Sequence, residues 1–269
     1  LAQMVKDMEF AVQWVPEQKD MQYIGMINKG ACRMLLSKLY LSTGQWQKAK
    51  EQLDIVINDE GYALMTNKFG SEIIPFNNEA WKVTRNVIWD LHRPENKLIH
   101  AHKEFILGMP NRGIGSTNSF IYFNTRRALE PLGDDANFKT PDGQRAVRAF
   151  ARSDKNYRPE FDYNRALGRG ISLIRPSWWA HSGMWNVNGK FDKGDLRHSV
   201  AVGNWVEIDS LCVNNPASKF FGQKLKREWS KDTIRNWYGF PHYKIYLQDH
   251  AAEAKRTSTQ FNGASSSSD

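Results

Sequence analysis

Cysteine is scarce. Cys32 and Cys212 are the only two in 269 residues, too few for a disulfide framework or a cysteine-rich zinc site. Cys32 lies in an apolar helical pattern and reads as a buried small hydrophobe. Long apolar runs are missing too: the stretch from Cys32 to Leu41 falls far short of the roughly 20 residues a membrane span needs. Before the first amphipathic segment, which starts at Leu1, there is no basic n-region and no apolar h-region. The other end runs through Asn262-Gly263-Ala264 into serines, the composition of a linker or a cut loop. Both ends read as truncated, and no targeting signal states a localisation. Acidic residues are outnumbered, 29 against 37 lysines and arginines, giving +8. The basic residues are scattered, however, and Arg126-Arg127 and Lys224 to Arg227 are short clusters that read as solvated surface rather than a nucleic-acid face.

What is present is a chain with 41% hydrophobic residues, enough for a substantial core. Leu1, Met4, Met8, Ala11, Val12 and Val15 recur at helical spacing until Pro16 closes the pattern. A second stripe runs through Ile24, Ile27, Ala31, Leu35 and Leu39, widened by Met34, Leu36 and Tyr40, and stops at Ser42-Thr43-Gly44. A third helix places Trp46, Ala49, Leu53, Val56 and Ile57 on one face and ends at Asn58-Asp59-Glu60-Gly61. Two helices joined by a tight glycine turn predict an antiparallel hairpin. After about Thr66 glycine, proline, asparagine and aromatics intersperse, and long stripes become rare. Short strands are expected at Val83 to Leu91, Phe120 to Phe123, Ile171 to Ile174 and Val200 to Ile208. A short helix is expected over Gln144 to Arg152, capped by Asp142.

The second and third helices resemble one tetratricopeptide unit through Leu36, Tyr40, Gly44, Trp46, Ala49 and Leu53. Three segments in order are similar to the SusD/RagB family. The first is the helix ending Trp14-Val15-Pro16-Glu17. The second is Asn28-Lys29-Gly30-Ala31-Cys32-Arg33-Met34-Leu35-Leu36-Ser37-Lys38-Leu39-Tyr40-Leu41, continuing through Gly44, Trp46-Gln47-Lys48-Ala49 and Val56-Ile57 to Gly61-Tyr62-Ala63-Leu64. The third is Ile174-Arg175-Pro176-Ser177 followed by Asp195-Leu196-Arg197. The resemblance covers roughly residues 1–205, and members of that family are longer at both ends.

It implies a mainly α, tetratricopeptide-like SusD/RagB scaffold with a large irregular, loop-rich portion and a few short strands. Residues 1–66 would be the helical portion and 67–269 the ligand-binding portion. It further implies a Bacteroidetes surface lipoprotein on the extracellular face of the outer membrane, its lipid anchor missing from this chain. Such a protein is not an enzyme. It binds an oligosaccharide or polysaccharide, starch-like or other, and delivers it to a SusC-like TonB-dependent transporter.

Sugar rings present apolar C–H faces, so a glycan surface needs exposed aromatic planes among polar side chains. With 10 Trp, 9 Tyr and 14 Phe the material is available. The candidates are Trp178, Trp179, Trp185 and Asn186, with Tyr157 and Tyr163 upstream; the competing reading is that these rings fill the core. Arg175, Asp195 and Arg197 read as scaffold braces. For hydrolysis, Asp134-Asp135, Asp192 with Asp195, and Glu207 with Asp209 supply carboxylates, yet no pair stands out. His100 and His102 with Glu104 could face one metal if extended, although an adventitious surface pair is the simpler account. Gly113-Ile114-Gly115-Ser116 lacks the third glycine of a dinucleotide fingerprint. No cofactor or catalytic metal is called for, and a structural calcium stays open. The alternatives are a tetratricopeptide-type adaptor, a glycoside hydrolase and, last, a nucleic-acid binder.

Overall fold

The structure, a computed structural model, describes residues 1–21, 24–70, 80–93, 96–108, 128–148, 155, 157–167 and 170–245. The chain is mainly α with a large loop-rich portion and a few two-residue strands. It forms two compact units. The first draws on residues 1–72 and 90–112, the second on 73–89 and 113–269. The chain leaves the first unit after residue 72 and returns to it for 90–112, so 96–108 belong with the helices.

In the first unit α1 (Ala2–Trp14), α2 (Lys29–Ser42) and α3 (Trp46–Asn58) follow in order. Val15 is extended before Pro16, as the clash of a proline ring with the preceding residue requires. Asn28 caps α2 by accepting the Ala31 N–H at 3.0 Å. Gly44, at φ +74, ends it in the left-handed turn that leads into α3. Arg33 near the start of α2 pairs with Glu60 just beyond α3 at 2.9 Å and reaches Gln52 at 2.7 Å. The two helices therefore run antiparallel. Gly30 is required by close approach: a Cβ there would stand 2.6 Å from the Tyr62 hydroxyl.

Only part of the predicted stripe is buried. Leu36, Leu39 and Tyr40 of α2 and Ala49 of α3 pack with Val5, Met8 and Val12 of α1. Leu1, Met4, Ile27, Leu35, Trp46 and Ile57 are exposed. Helical spacing reveals that a stripe exists. Which of two overlapping stripes gains a partner is settled by α1, which lies on α2 and turns the face toward Leu36 and Tyr40. Ile24, counted in the second helix, is buried in the turn before it. Cys32 is buried, and desolvation pushes its thiol pKa up.

Helix α4 (Val87–His92) carries the chain from one unit to the other. A strand was expected here from its β-branched and aromatic residues. Instead Asn86 caps a helix turn, its Oδ1 accepting the Trp89 N–H at 3.1 Å. The second unit also contains α5 (Tyr163–Leu167), α6 (Trp178–His181), α7 (Thr233–Asn236) and α8 (His242–Ile245). Its core gathers Phe138, Leu167, Val206, Val213, Trp229 and Phe240.

Among the described residues two antiparallel strand pairs are present. β1 (Asn186–Val187) pairs with β2 (Lys190–Phe191), and β3 (Trp205–Val206) with β4 (Phe240–Pro241). The β1–β2 turn is Asn188-Gly189, both at positive φ, the two-residue hairpin signal that went unread in the sequence. Of the strand expected at Val200 to Ile208 only Trp205–Val206 forms. Ile171 to Ile174 is irregular, although Ser172 and Ile174 donate backbone hydrogen bonds to Glu130 and Ala128. The expected helix over Gln144 to Arg152 does not form in its described part, where Arg145 bridges Lys139. Asp142 instead accepts from Thr140, Ser218 and the Lys219 N–H, which holds its pKa down at about 2. The segments at 113–116, 120–123 and 126–127 lie outside the described residues.

Leu36 is 1% exposed, and replacing it with Ala should cost about 3 kcal/mol through lost transfer energy and a residual cavity. Ile57→Ala, at a side chain 67% exposed, should cost less than about 0.5 kcal/mol. Urea unfolding of both variants measures the contrast.

Candidate functional site

Pro176 and Ser177 set up α6. The Ser177 hydroxyl accepts the Ala180 N–H at 3.3 Å, a helix cap that fixes the direction in which Trp178, Trp179 and His181 project. Trp178 stacks on His181, centroids 6.3 Å apart and planes 17° from parallel. His181 in turn meets the edge of Trp205 at 6.0 Å. Behind them Trp205 lies 4.2 Å from His198 and 5.8 Å from Trp185. This is a continuous row of rings. Its inner end is buried and its outer end, Trp178, is 80% exposed.

The polar groups between the rings are paired. His181 Nε2 accepts the Gly239 N–H at 2.9 Å, which leaves Nδ1 to donate to the Ser182 hydroxyl at 2.9 Å. Glu207 takes the Trp205 indole N–H at 2.6 Å and its other oxygen lies 3.6 Å from His181 Nε2. His198 donates from Nε2 to the His181 carbonyl at 3.2 Å, so its Nδ1 is unprotonated, and that atom is buried without a partner. Together these bonds tie α6, β3 and the chain at Gly239 into one wall.

In front of the wall is an open cleft of about 660 Å³, bordered by Arg175, Trp178, His181, Glu207, Asp209 and Arg227, with Trp237 and Tyr238 also lining it. Volumes of this order suit small-molecule ligands. It offers a flat apolar ring, two guanidinium groups and two carboxylates. That combination can stack on an apolar ring face and hydrogen-bond hydroxyl or anionic substituents around it.

Of the residues singled out in the sequence, Trp178 borders the cleft. Trp179 is 65% exposed but lies against Gly183, where a Cβ would approach its ring to 2.9 Å. Trp185 is a correction. It is 7% exposed, donates its indole N–H to the Ala180 carbonyl at 2.9 Å, and has Arg197 over its ring at 5.4 Å, so it offers a ligand no open face. Tyr163 is likewise in the core, its hydroxyl accepting the Cys212 N–H at 2.9 Å and its pKa pushed up to about 12 by burial. Tyr157 is half-buried in the loop before Pro159. Asn186 is exposed in β1 and donates to the Ser182 carbonyl at 3.1 Å.

Asp195 and Arg197 brace each other, with Nη2 to Oδ2 at 2.6 Å. The hydrogen bond from Arg197 lowers the Asp195 pKa. Arg175 departs from its expected bracing role and makes no hydrogen bond or ion pair among the described residues. Arg227 and Trp237 were not foreseen as site residues. They come from about 50 residues further along the chain, and no spacing rule brings them to Trp178. His102 is buried between Phe69 and Phe105 whereas His100 is exposed, so the two do not face one ion. Among the described residues no three His, Cys, Asp or Glu side chains gather as a metal site, and no helix is long and apolar enough to cross a membrane.

Burial lowers the His198 pKa below the ordinary histidine value of 6.5, with Glu207 opposing the shift. The unfolded chain therefore takes up this proton first as pH falls. The contribution is fully present above about pH 6.5 and is lost as pH drops toward the lower folded value. Thermal melts between pH 7 and pH 5 should show falling stability, with a shallower slope in His198→Phe; an unchanged slope would contradict this account.

No protein-family model, curated protein or solved structure matches the chain.

Proposed function

We propose that this chain is a non-catalytic glycan-binding protein of the SusD/RagB kind, which holds an oligosaccharide against Trp178. The observation that carries the reading is the exposed Trp178 ring at the edge of a cleft furnished with Arg175, His181, Glu207, Asp209 and Arg227. A solvent-facing indole costs apolar exposure. Here the ring is held flat by its stack on His181, a preorganised platform on which a sugar face can settle with little loss of side-chain freedom.

The family part of the proposal rests on the sequence resemblance, supported by an antiparallel α2–α3 hairpin with Gly44 at its turn and Ala49 buried inside it, as a tetratricopeptide-like unit requires. On that reading the protein is lipid-anchored at the outer face of a Bacteroidetes outer membrane and passes its ligand to a SusC-like TonB-dependent transporter. The exposed apolar residues of α1 to α3 would then be available for packing against further helices of the full-length protein.

One observation favours a second reading. Glu207 and Asp209, carboxylates considered for hydrolysis, both border the cleft. Glu207 is already engaged by the Trp205 indole, which favours a holding role over proton transfer. Release of reducing ends from a polysaccharide panel would instead establish a glycoside hydrolase.

Trp178→Ala should weaken oligosaccharide retention on affinity gels roughly tenfold, the loss of about 1.4 kcal/mol expected for a central aromatic contact, with the Tm nearly unchanged. Trp185→Ala should cost about 3 kcal/mol of stability or more. Retention unaffected by Trp178→Ala would exclude this ring as the platform.

A further inference from the structure

The cleft is bordered by two exposed positive side chains that form no ion pair among the described residues. Arg175 precedes the proline that starts α6, and Arg227 begins the short 3-10 turn Arg227–Trp229. Both are exposed and both border the cleft. Neither side chain makes a hydrogen bond or ion pair among the described residues. Other arginines of the same unit are engaged: Arg197 grips Asp195 and Arg235 grips Asp232. What sets Arg175 and Arg227 apart is that they border the same cleft.

The carboxylates of the cleft do not cancel them. Glu207 has one oxygen on the Trp205 indole and the other toward His181, so its charge is directed into the wall. Asp209 is exposed and, as an ionised acceptor, is suited to sugar hydroxyl donors. A guanidinium offers a planar fork of donors that matches the two oxygens of a carboxylate or the oxygens of a sulfate; a neutral sugar hydroxyl uses that fork poorly. The net charge of +8 adds a long-range field that draws polyanions toward the protein.

Resting on the glycan-binding reading above, we infer that the ligand of this cleft is an acidic saccharide rather than a starch-like neutral one. Its oxyanion substituents, uronate carboxylates or sulfates, engage Arg175 and Arg227 while one ring stacks on Trp178 and hydroxyls reach Asp209. The arginines divide the work with the indole. Stacking holds any pyranose, and the guanidinium pair selects those carrying negative charge.

The test compares galacturonate oligomers with the same oligomers after reduction of their carboxyl groups, measured by isothermal titration on the full chain at low and at physiological salt. The acidic oligomer should bind at least about tenfold more tightly and lose affinity as salt rises. Arg175→Gln and Arg227→Gln should each weaken the acidic oligomer about tenfold, with unchanged Tm because both side chains are exposed. Lys50→Gln, which removes the same charge from α3, should change binding less than twofold and so separates contact from overall charge. A sulfated galactan oligomer that binds while galacturonate does not would keep the inference and identify sulfate as the group. Equal binding of acidic and reduced oligomers, or arginine variants that bind like the unaltered protein, would overturn it and leave glycan binding standing. If neither form nor any other glycan binds, both readings fall.

Discussion

A chain with so few regular elements must satisfy its buried backbone groups without ladders to do so, and the carboxamide of asparagine is the group that meets this demand. Asn28, Asn96, Asn204, Asn214 and Asn236 are all fully buried. Asn28 accepts the Ala31 N–H and the Tyr62 hydroxyl while its amide hydrogens are shared among Gln18 and the carbonyls of Met26 and Ile106. One side chain thus starts α2, ties it to the loop after α3, and secures the segment near residue 106. Asn214 does the same in the second unit, taking the Arg148 N–H and donating to the carbonyls of Arg148 and Phe161. An amide carries donors and acceptor on one rigid plane, so it can substitute for a missing strand neighbour. Leaving such backbone groups buried and unmet would cost about 1–3 kcal/mol each.

The same device positions the cleft. Asn204 and Asn86 bond reciprocally through their side chains. Asn204 also donates to the Leu196 carbonyl, and its own carbonyl accepts the His242 N–H. The turn that carries His198, the strand that carries Trp205 and the start of α8 are thereby referred to one residue. Because His198 and Trp205 back the ring row that ends at Trp178, the flatness of the exposed indole depends on an amide pair that never reaches the surface.

This division explains what could be read from the residues alone. Helices α1 to α3 announce themselves through a local period and through Pro16 and Gly44, signals that act over a few residues. Their buried face was legible only in part, because Leu35 and Leu36 both fit helical stripes and the choice between them is made by α1. In the second unit the organising bonds join residues 53 to 118 apart in sequence, and asparagine there looks the same as asparagine in a turn. The aromatic density of 178–186 was legible in the sequence. Which ring is open was not, because Trp185 is closed off by the Ala180 carbonyl and by Trp205, and the latter arrives from a distant strand.

The reciprocal Asn86–Asn204 bond has a consequence for the order of assembly. Contacts this far apart in the chain form only after a large loop has closed, and loop closure is an entropic cost borne before any bond rewards it. The paired helices can nucleate from neighbouring turns, whereas the wall behind Trp178 requires that loop to close first. The exposed ring face at Trp178 is therefore a property of the finished chain, dependent on buried residues that never reach the surface.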